Sequence, residues 1–279
     1  MEYVTLNNGV KIPILGFGVY GIAKEDCERC VTQALDVGYR HIDAAQIYQN
    51  EAEVGNAIVH SNIPRDELFI TSKIWVCNFG YEKAKASIDR SLERLKTPYI
   101  DLMLIHRPYA DYKGAWKALE EAVREGKIKS IGVSNFNEKQ TEDILRNGTI
   151  TPVVNQIELS PYGQQRRMRK YLEPKNIAVQ SWSPLGHGNK KLLSDPVLAE
   201  IGAKYDKTVA QVILRWNVEN GLITFPKSCN YDRIKSNFEI FDFALSEEDM
   251  AKIYALDKDK YCFTPPRWLD TIIAKMKKA

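Results

Sequence analysis

Residues 38–51 read Gly38-Tyr39-Arg40-His41-Ile42-Asp43-Ala44-Ala45-Gln46-Ile47-Tyr48-Gln49-Asn50-Glu51. The run from His41 to Asp43 predicts a short buried strand, and a helix is predicted from Glu51 onward. Reacting groups of parallel α/β proteins stand in the loops that follow the strands, so Asp43 and Tyr48 are candidate catalytic residues. On this stretch alone, a turn followed by a helix N-cap is an open alternative.

The same strand-then-helix unit recurs eight times along the chain. The predicted strands are 15–18, 41–43, 68–73, 100–105, 130–134, 153–158, 178–183 and 222–225. The predicted helices are 24–37, 51–59, 81–95, 115–124, 138–146, 164–171, two stretches up to 217, and one that starts at 233–238. The strands are short and almost wholly apolar, as parallel strands buried on both faces must be, and eight such units close a barrel. The predicted fold class is therefore α/β, a single (β/α)8 TIM barrel.

The two ends of the chain lie outside this repeat. The turn Asn7-Asn8-Gly9 between two β-prone runs predicts an N-terminal β-hairpin. The C-terminal tail from Tyr261 to Ala279, which includes Trp268, is expected to fold over the barrel. No Pro/Gly/Ser-rich linker divides the chain, so we predict one domain over residues 1–279.

Composition excludes several classes of protein. The 279 residues are 44% hydrophobic and 27% charged, as in ordinary globular proteins, and the net charge of +3 is nearly balanced. No basic tract indicates a nucleic-acid partner, and no apolar run indicates a membrane span or a secretory signal. With five scattered cysteines, these features predict a cytoplasmic protein, which we expect to be a monomer.

Cys27 and Cys30 have a redox or metal spacing, but they fall inside a predicted helix and are interpreted as helix composition. None of the four histidines is suitably spaced from another ligand, so we predict no metal site.

Three neighbouring predicted strands each end in an ionisable residue. Asp43 ends the second strand, Lys73 the third and His106 the fourth, with Tyr48 just beyond Asp43. Singly, Lys73 could be a solvated lysine and His106 a structural histidine, but an unpaired buried charge costs several kcal/mol and is not kept for packing. Such a cluster suits proton donation from the tyrosine to a carbonyl oxygen. We expect Lys73 to lower the pKa of Tyr48, Asp43 to hold Lys73, and His106 to bind the substrate oxygen.

Two stretches are candidates for binding a dinucleotide that supplies a hydride. Residues 16–21 match G-x-G-x-x-G weakly and leave a Rossmann dehydrogenase as an alternative. The stretch from Phe225 to Arg233 is more persuasive, because barrels commonly bind phosphate after strands seven and eight. Lys227, Ser228 and Arg233 there would suit the extra phosphate of NADPH, and a helix cap with two solvated bases is the alternative.

Together these blocks resemble the aldo-keto reductase family. The similarity runs from the hairpin to at least Asn237 and includes Gly38 to Glu51. Its other blocks are Thr71-Ser72-Lys73, Leu104-Ile105-His106, Ile131-Gly132-Val133-Ser134-Asn135-Phe136, Asn155-Gln156-Ile157-Glu158 and Ile223-Thr224-Phe225-Pro226-Lys227-Ser228. Within the family, the chain is most similar to the microbial and protozoan branch of diketogluconate reductases and prostaglandin F synthases. The resemblance implies NADPH/NADP+ as cofactor and reduction of a small-molecule aldehyde or ketone to an alcohol without metal.

The resemblance also implies roles for individual residues. The catalytic tetrad would be Asp43, Tyr48, Lys73 and His106. Ser134, Asn135 and Gln156 would hold the nicotinamide carboxamide, Trp182 would stack on its ring, and Ser183-Pro184-Leu185-Gly186 would follow the pyrophosphate. The adenosine end would be bound by Lys227, Ser228, Asn230, Arg233 and Asn237. We also place Gly18, Val19 and Tyr20, after the first strand, at the cofactor.

The substrate pocket is where the chain departs from the family pattern. Arg107 stands where the family often has Trp, and Trp182 where Tyr is common. An Arg107 that faces the pocket would favour acidic or polar carbonyl substrates, whereas one that turns outward would be an ordinary solvated arginine. Tyr20, Trp75 and Trp268 are candidate apolar walls, with core or tail packing as the alternative. A protein of the same fold that binds NADPH as a sensor or structural protein, with little turnover, is the alternative function.

Overall fold

The computed structural model describes residues 1–262 as a closed barrel of eight parallel strands. The barrel strands are β3 (Phe17–Gly18), β4 (His41–Asp43), β5 (Phe69–Ile74), β6 (Ile100–Ile105), β7 (Ile128–Ser134), β8 (Val154–Glu158), β9 (Ala178–Trp182) and β10 (Ile223–Thr224). They pair in chain order. A parallel bridge between Leu15 and Thr224 joins the last strand to the segment before the first and closes the barrel. The predicted fold class is confirmed for the barrel.

Helices follow the strands and surround the sheet. They are α1 (Lys24–Val37), α2 (Glu51–His60), α3 (Tyr81–Leu95), α4 (Tyr112–Arg124), α5 (Glu138–Asn147), α6 (Arg166–Leu172), α7 (Lys190–Leu193), α8 (Pro196–Tyr205), α9 (Val209–Glu219), α10 (Tyr231–Phe238) and α11 (Glu247–Ala255). None of the helices within residues 1–262 is long and apolar enough to span a membrane.

The predicted N-terminal hairpin is present and covers the amino ends of the barrel strands. It pairs β1 (Tyr3–Thr5) with β2 (Lys11–Pro13) in antiparallel register. Leu6 and Ile12 are buried in one apolar cluster with the barrel residues Leu102 and Ile223. This end of the barrel is thereby closed with apolar side chains, and the opposite, carboxyl end is left for the site.

The glycines of residues 16–21 are explained by barrel closure. A Cβ atom on Gly16 would lie 2.7 Å from Nδ1 of His41, and one on Gly18 would lie 3.2 Å from the carbonyl oxygen of Phe225. Both positions therefore lie where neighbouring strands approach closely. The Rossmann alternative is wrong, because this strand belongs to a closed barrel and α1 does not begin until Lys24. From residue 263 onward, the predicted tail lies outside the residues that the structure describes.

Candidate active site

Lys73 lies at the centre of a buried polar cluster at the carboxyl ends of β4 and β5. Its side chain is completely buried, and Nζ donates to Asp43 Oδ1 at 2.6 Å and to the carbonyl oxygen of Ala44 at 2.9 Å. The same nitrogen is 3.5 Å from the hydroxyl oxygen of Tyr48. Lys73 is therefore not a solvated strand-end lysine, and Asp43 is an ion-pair partner rather than a helix cap.

The charge state of this pair is set by opposing effects. Burial lowers the pKa of Lys73, and the charge of Asp43 together with its hydrogen bond opposes that shift. Asp43 is itself held from its other side, because Nε2 of Gln156 donates to Oδ2 at 2.9 Å. The same amide nitrogen donates to Oε1 of Gln180 at 3.0 Å. The carboxylate that neutralises Lys73 is thus fixed by a buried amide pair.

The pKa of Tyr48 shifts in the direction opposite to the one expected. Burial raises its pKa well above 10, the charges on Asp43 and Tyr20 raise it further, and Arg107 opposes them. The expected lowering by Lys73 is therefore not found. Burial is the largest of these effects and decides the direction, so the phenol is protonated at neutral pH.

His106 lies beside this cluster, and its ring is neutral. The side chain is 8% exposed, and burial, followed by the charges on Lys73 and Arg107, lowers its pKa well below 6.5. Its ring centroid is 5.8 Å from that of Tyr48 and 5.1 Å from that of Trp75. Within the part of the chain that the structure describes, Nδ1 of His106 has no hydrogen-bond partner. A neutral imidazole can donate one N–H bond to an oxygen in the space between these rings.

The residues expected at the nicotinamide form a connected set beside His106. The hydroxyl of Ser134 donates to the carbonyl oxygen of Gln156, and the amide of Asn135 donates to the carbonyl oxygen of His106 at 3.2 Å. The indole N–H of Trp182 donates to Asn135 Oδ1 at 3.0 Å. These contacts fix Trp182 and Asn135 against the strand end that carries His106.

The expected pyrophosphate segment is a tight turn after β9. Ser183 has a positive φ of 55°, Gly186 has one of 60°, and Ser183 Oγ accepts from the backbone N–H of His187. The backbone N–H groups of Gly186 and Gly188 donate within the turn, to the carbonyl oxygens of Ser183 and Leu185. The apolar side chain of Leu185 packs between the two larger apolar clusters.

The late basic loop adjoins the start of α10. Asn230 caps that helix by accepting from the backbone N–H of Arg233, and Ser228 Oγ accepts from Arg233 Nε at 3.3 Å. Lys227 and Arg233 are exposed, whereas Ser228 and Asn237 are buried. Gly18 donates its backbone N–H to the carbonyl oxygen of Pro226, which joins this loop to the end of β3.

Tyr20 packs against Tyr48, whereas its neighbour Val19 is buried. Tyr20 is 57% exposed, and its ring centroid is 5.1 Å from that of Tyr48. Val19 is buried, and its carbonyl oxygen accepts from the side-chain amide of Asn50. Asn50 therefore holds the Tyr20 loop rather than capping α2 with its side chain. Trp268, the remaining candidate wall, lies outside the described residues.

Two residues of this region were missed from the sequence. Gln180, a polar residue in an otherwise buried strand, contacts Gln156, and the ring of His187 lies 6.0 Å from that of Tyr20 and 5.9 Å from that of Trp182. The polar character of a buried strand position was the available signal for Gln180.

Cys27 and Cys30 are buried in α1, and burial raises their pKa values to about 12 and about 11, which disfavours thiolate chemistry. Among residues 1–262, no group of three or more His, Cys, Asp or Glu is placed to hold a metal.

Comparisons with known proteins agree with this architecture. The chain is 47% identical over 261 residues to the glyoxal reductase of Bacillus subtilis, covering 93% of this chain and 94% of the relative. It is 45% identical to the 9,11-endoperoxide prostaglandin H2 reductase of Trypanosoma cruzi, covering 92% of each.

Solved structures of aldo-keto reductases also superpose on this chain. An aldo-keto reductase from a deep-sea metagenome library superposes with a TM-score of 0.92 at 42% identity, covering 94% of this chain and 97% of the other. The aldo-keto reductase of Bombyx mori in complex with NADP superposes with a TM-score of 0.91 at 34% identity, covering 96% and 97%. The model of the aldo/keto reductase family matches residues 14–258, and the chain belongs to that family.

Proposed function

We propose that this protein reduces aldehydes and ketones to alcohols with NADPH, and that Tyr48 donates the proton. The observation that carries the proposal is the buried contact from Asp43 through Lys73 to the Tyr48 hydroxyl. The names of the relatives, a glyoxal reductase and a prostaglandin endoperoxide reductase, support reductase chemistry.

Tyr48 is suited to donate a proton because its hydroxyl is protonated before the reaction. Its raised pKa keeps the proton in place at neutral pH. After transfer, the phenolate is 3.5 Å from the Lys73 ammonium, whose charge is maintained by Asp43 at 2.6 Å. Lys73 therefore stabilises the charge that develops on the tyrosine oxygen rather than the resting state.

His106 is suited to orient the substrate. Its neutral ring can donate a hydrogen bond to the carbonyl oxygen without competing with Tyr48 for the proton-donor role. The rings of Tyr48 and Trp75 lie on either side of His106, with centroids 5.8 Å and 5.1 Å from its own.

The chain's donor set fits NADPH. When bound, NADPH supplies the hydride. Ser134, Asn135 and the Gln156 amide would hold the carboxamide, and Trp182 would provide the ring surface. Lys227, Ser228, Asn230, Arg233 and Asn237 would hold the adenosine end, with Ser183, Leu185 and Gly186 at the pyrophosphate and Gly18, Val19 and Tyr20 along the rim. The two exposed cations beside a helix start favour a phosphate group there.

The test measures oxidation of NADPH and of NADH with glyoxal, methylglyoxal and methyl 4-formylbenzoate. We expect NADPH to be oxidised and the double variant Lys227→Ala, Arg233→Ala to raise the Kd of NADPH at least about tenfold, with little change for NADH. Lys235→Ala, an exposed lysine on the same helix, is the control. Absence of oxidation with all three carbonyls, or an equal effect on both cofactors, would contradict the proposal.

A further inference from the structure

A connected series of six rings includes Tyr48, and we name it the aromatic wall. Its members, in order, are Trp75, His106, Tyr48, Tyr20, His187 and Trp182. Neighbouring ring centroids are 5.1 to 6.0 Å apart. Arg107 follows His106 in the chain, and its guanidinium carbon is 6.0 Å from the ring centroid of Trp182, the last member of the series.

Arg107 faces the site rather than the solvent. Its side chain is half-buried, and burial lowers its pKa, although a guanidinium stays charged at neutral pH. Its charge acts on both His106 and Tyr48. The outward-facing alternative therefore does not fit the structure, and the guanidinium is a fixed positive charge in a wall that is otherwise aromatic.

Besides Arg107, the region holds a second cation and an acidic side chain. Lys73 lies deeper and is paired with Asp43. Glu158 lines the same cavity as Arg107, and its carboxylate accepts from the backbone N–H of Cys262. The negative charge of Glu158 acts on Arg107. A guanidinium has five N–H donors, so it can keep a protein partner and still bind a carboxylate.

We propose that Arg107 binds a carboxylate group of the substrate, so that the preferred substrates are oxo acids, which carry an aldehyde or ketone and a carboxylate in one molecule. This inference rests on the proposed carbonyl reduction. The carboxylate is unchanged in the reaction: the carbonyl carbon gains the hydride of NADPH and its oxygen gains the proton of Tyr48. Arg107 and Trp182 also line a cavity of about 260 Å³, which Tyr48 and His106 do not line.

The experiment compares two substrates that differ only in charge, 4-carboxybenzaldehyde and its methyl ester. We expect the parent to show a kcat/KM about 10- to 100-fold higher for the acid, the range of a charge-assisted bidentate contact. In Arg107→Met this ratio falls to one or below, and in Arg107→Lys it is intermediate, because lysine keeps the charge without the planar fork. The ratio is the readout, since loss of the Arg107 charge near Tyr48 slows both substrates.

Controls separate this inference from the proposed function. Arg124→Met, an exposed arginine at the end of α4, should keep the parent's ratio. In the parent, benzoate should inhibit ester reduction more strongly than benzamide, a measurement that needs no variant. Ester reduction without a preference for the acid, or with the same ratio in Arg107→Met, would overturn the inference alone. If the parent reduces neither substrate, both the inference and the proposed function fail.

Discussion

At the scale of single residues, the site depends on a balance of charges that residue types alone do not give. The sequence placed Asp43, Tyr48, Lys73 and His106 at neighbouring strand ends, and the structure brings these four side chains together. The direction of the Tyr48 pKa shift could not be predicted in this way. It is the net result of burial, the negative charge of Asp43 and the opposing charge of Arg107, which depend on three-dimensional distances.

Gln180 provides a prediction at this scale. Its Oε1 orients the Gln156 amide that holds Asp43, so Gln180→Leu should lower kcat up to about tenfold, the value of one hydrogen bond. The Kd of NADPH is measured alongside, because the same Gln156 amide would hold the carboxamide of the cofactor. Stability should fall by up to about 3 kcal/mol, because one N–H of the buried Gln156 amide loses its acceptor, and kcat is therefore compared for the folded proteins. An unchanged kcat would show that Gln180 does not position Asp43.

At the scale of elements, the helices were predicted well where one face is apolar and the ends are marked. Lys24–Val37 and Tyr81–Leu95 have the predicted bounds. The helix Tyr112–Arg124 begins three residues before its predicted start, because Asp111 caps it by accepting from the N–H of Gly114. The helix Glu247–Ala255 was missed, since it follows the last barrel unit and its sequence does not belong to the repeat.

Gly55 in α2 shows what the pattern of one helix cannot give. A Cβ atom on Gly55 would lie 2.2 Å from the carbonyl oxygen of Arg94 and 2.9 Å from Cα of Leu95. Helix α2 therefore needs a glycine where it contacts the end of α3.

Gly55→Ala is expected to destabilise the protein by about 1–3 kcal/mol, because the added methyl group meets backbone that cannot rotate away. Helix propensity alone predicts the opposite, a gain of about 1 kcal/mol. Ala52→Gly at an exposed position of the same helix is the control and should cost about that amount. Urea unfolding measures both variants, and a more stable Gly55→Ala protein would contradict the packing account.

At the scale of the whole molecule, the barrel is closed between its first and last strands, with His41 buried beside that seam. Closure is predictable from the count of eight units, but the close contact of Gly16 with the His41 ring is not. His41 is completely buried, and its Nε2 is 3.0 Å from Oγ1 of Thr71. Burial lowers the pKa of His41 to about 3.

This shift makes stability depend on pH. The unfolded chain takes up a proton at His41 as pH falls below about 6.5, whereas the folded chain stays unprotonated there down to about 3. Folding free energy is therefore lost as pH falls, by about 1.4 kcal/mol per pH unit in this window. The lowered pKa of His106 likewise reduces the stability of the folded protein as pH falls.

Urea unfolding between about pH 7 and about pH 5 tests this. His41→Asn should be less stable than the parent at every pH, but its stability should fall less steeply as the solution becomes acidic. The slope is the readout, because it does not depend on the packing lost with the ring. Equal slopes for the parent and the variant would show that His41 does not carry the acid sensitivity.

The central claim, that Tyr48 donates the proton, is tested most directly by Tyr48→Phe, which removes one hydroxyl oxygen. We measure kcat for NADPH-dependent reduction of methyl 4-formylbenzoate, the Kd of NADPH, and the same values for Tyr3→Phe, an exposed tyrosine in the hairpin. The account predicts that kcat falls about 10²- to 10⁴-fold in Tyr48→Phe, that NADPH still binds, and that Tyr3→Phe behaves as the parent does. A Tyr48→Phe protein that reduces the aldehyde as fast as the parent would contradict it.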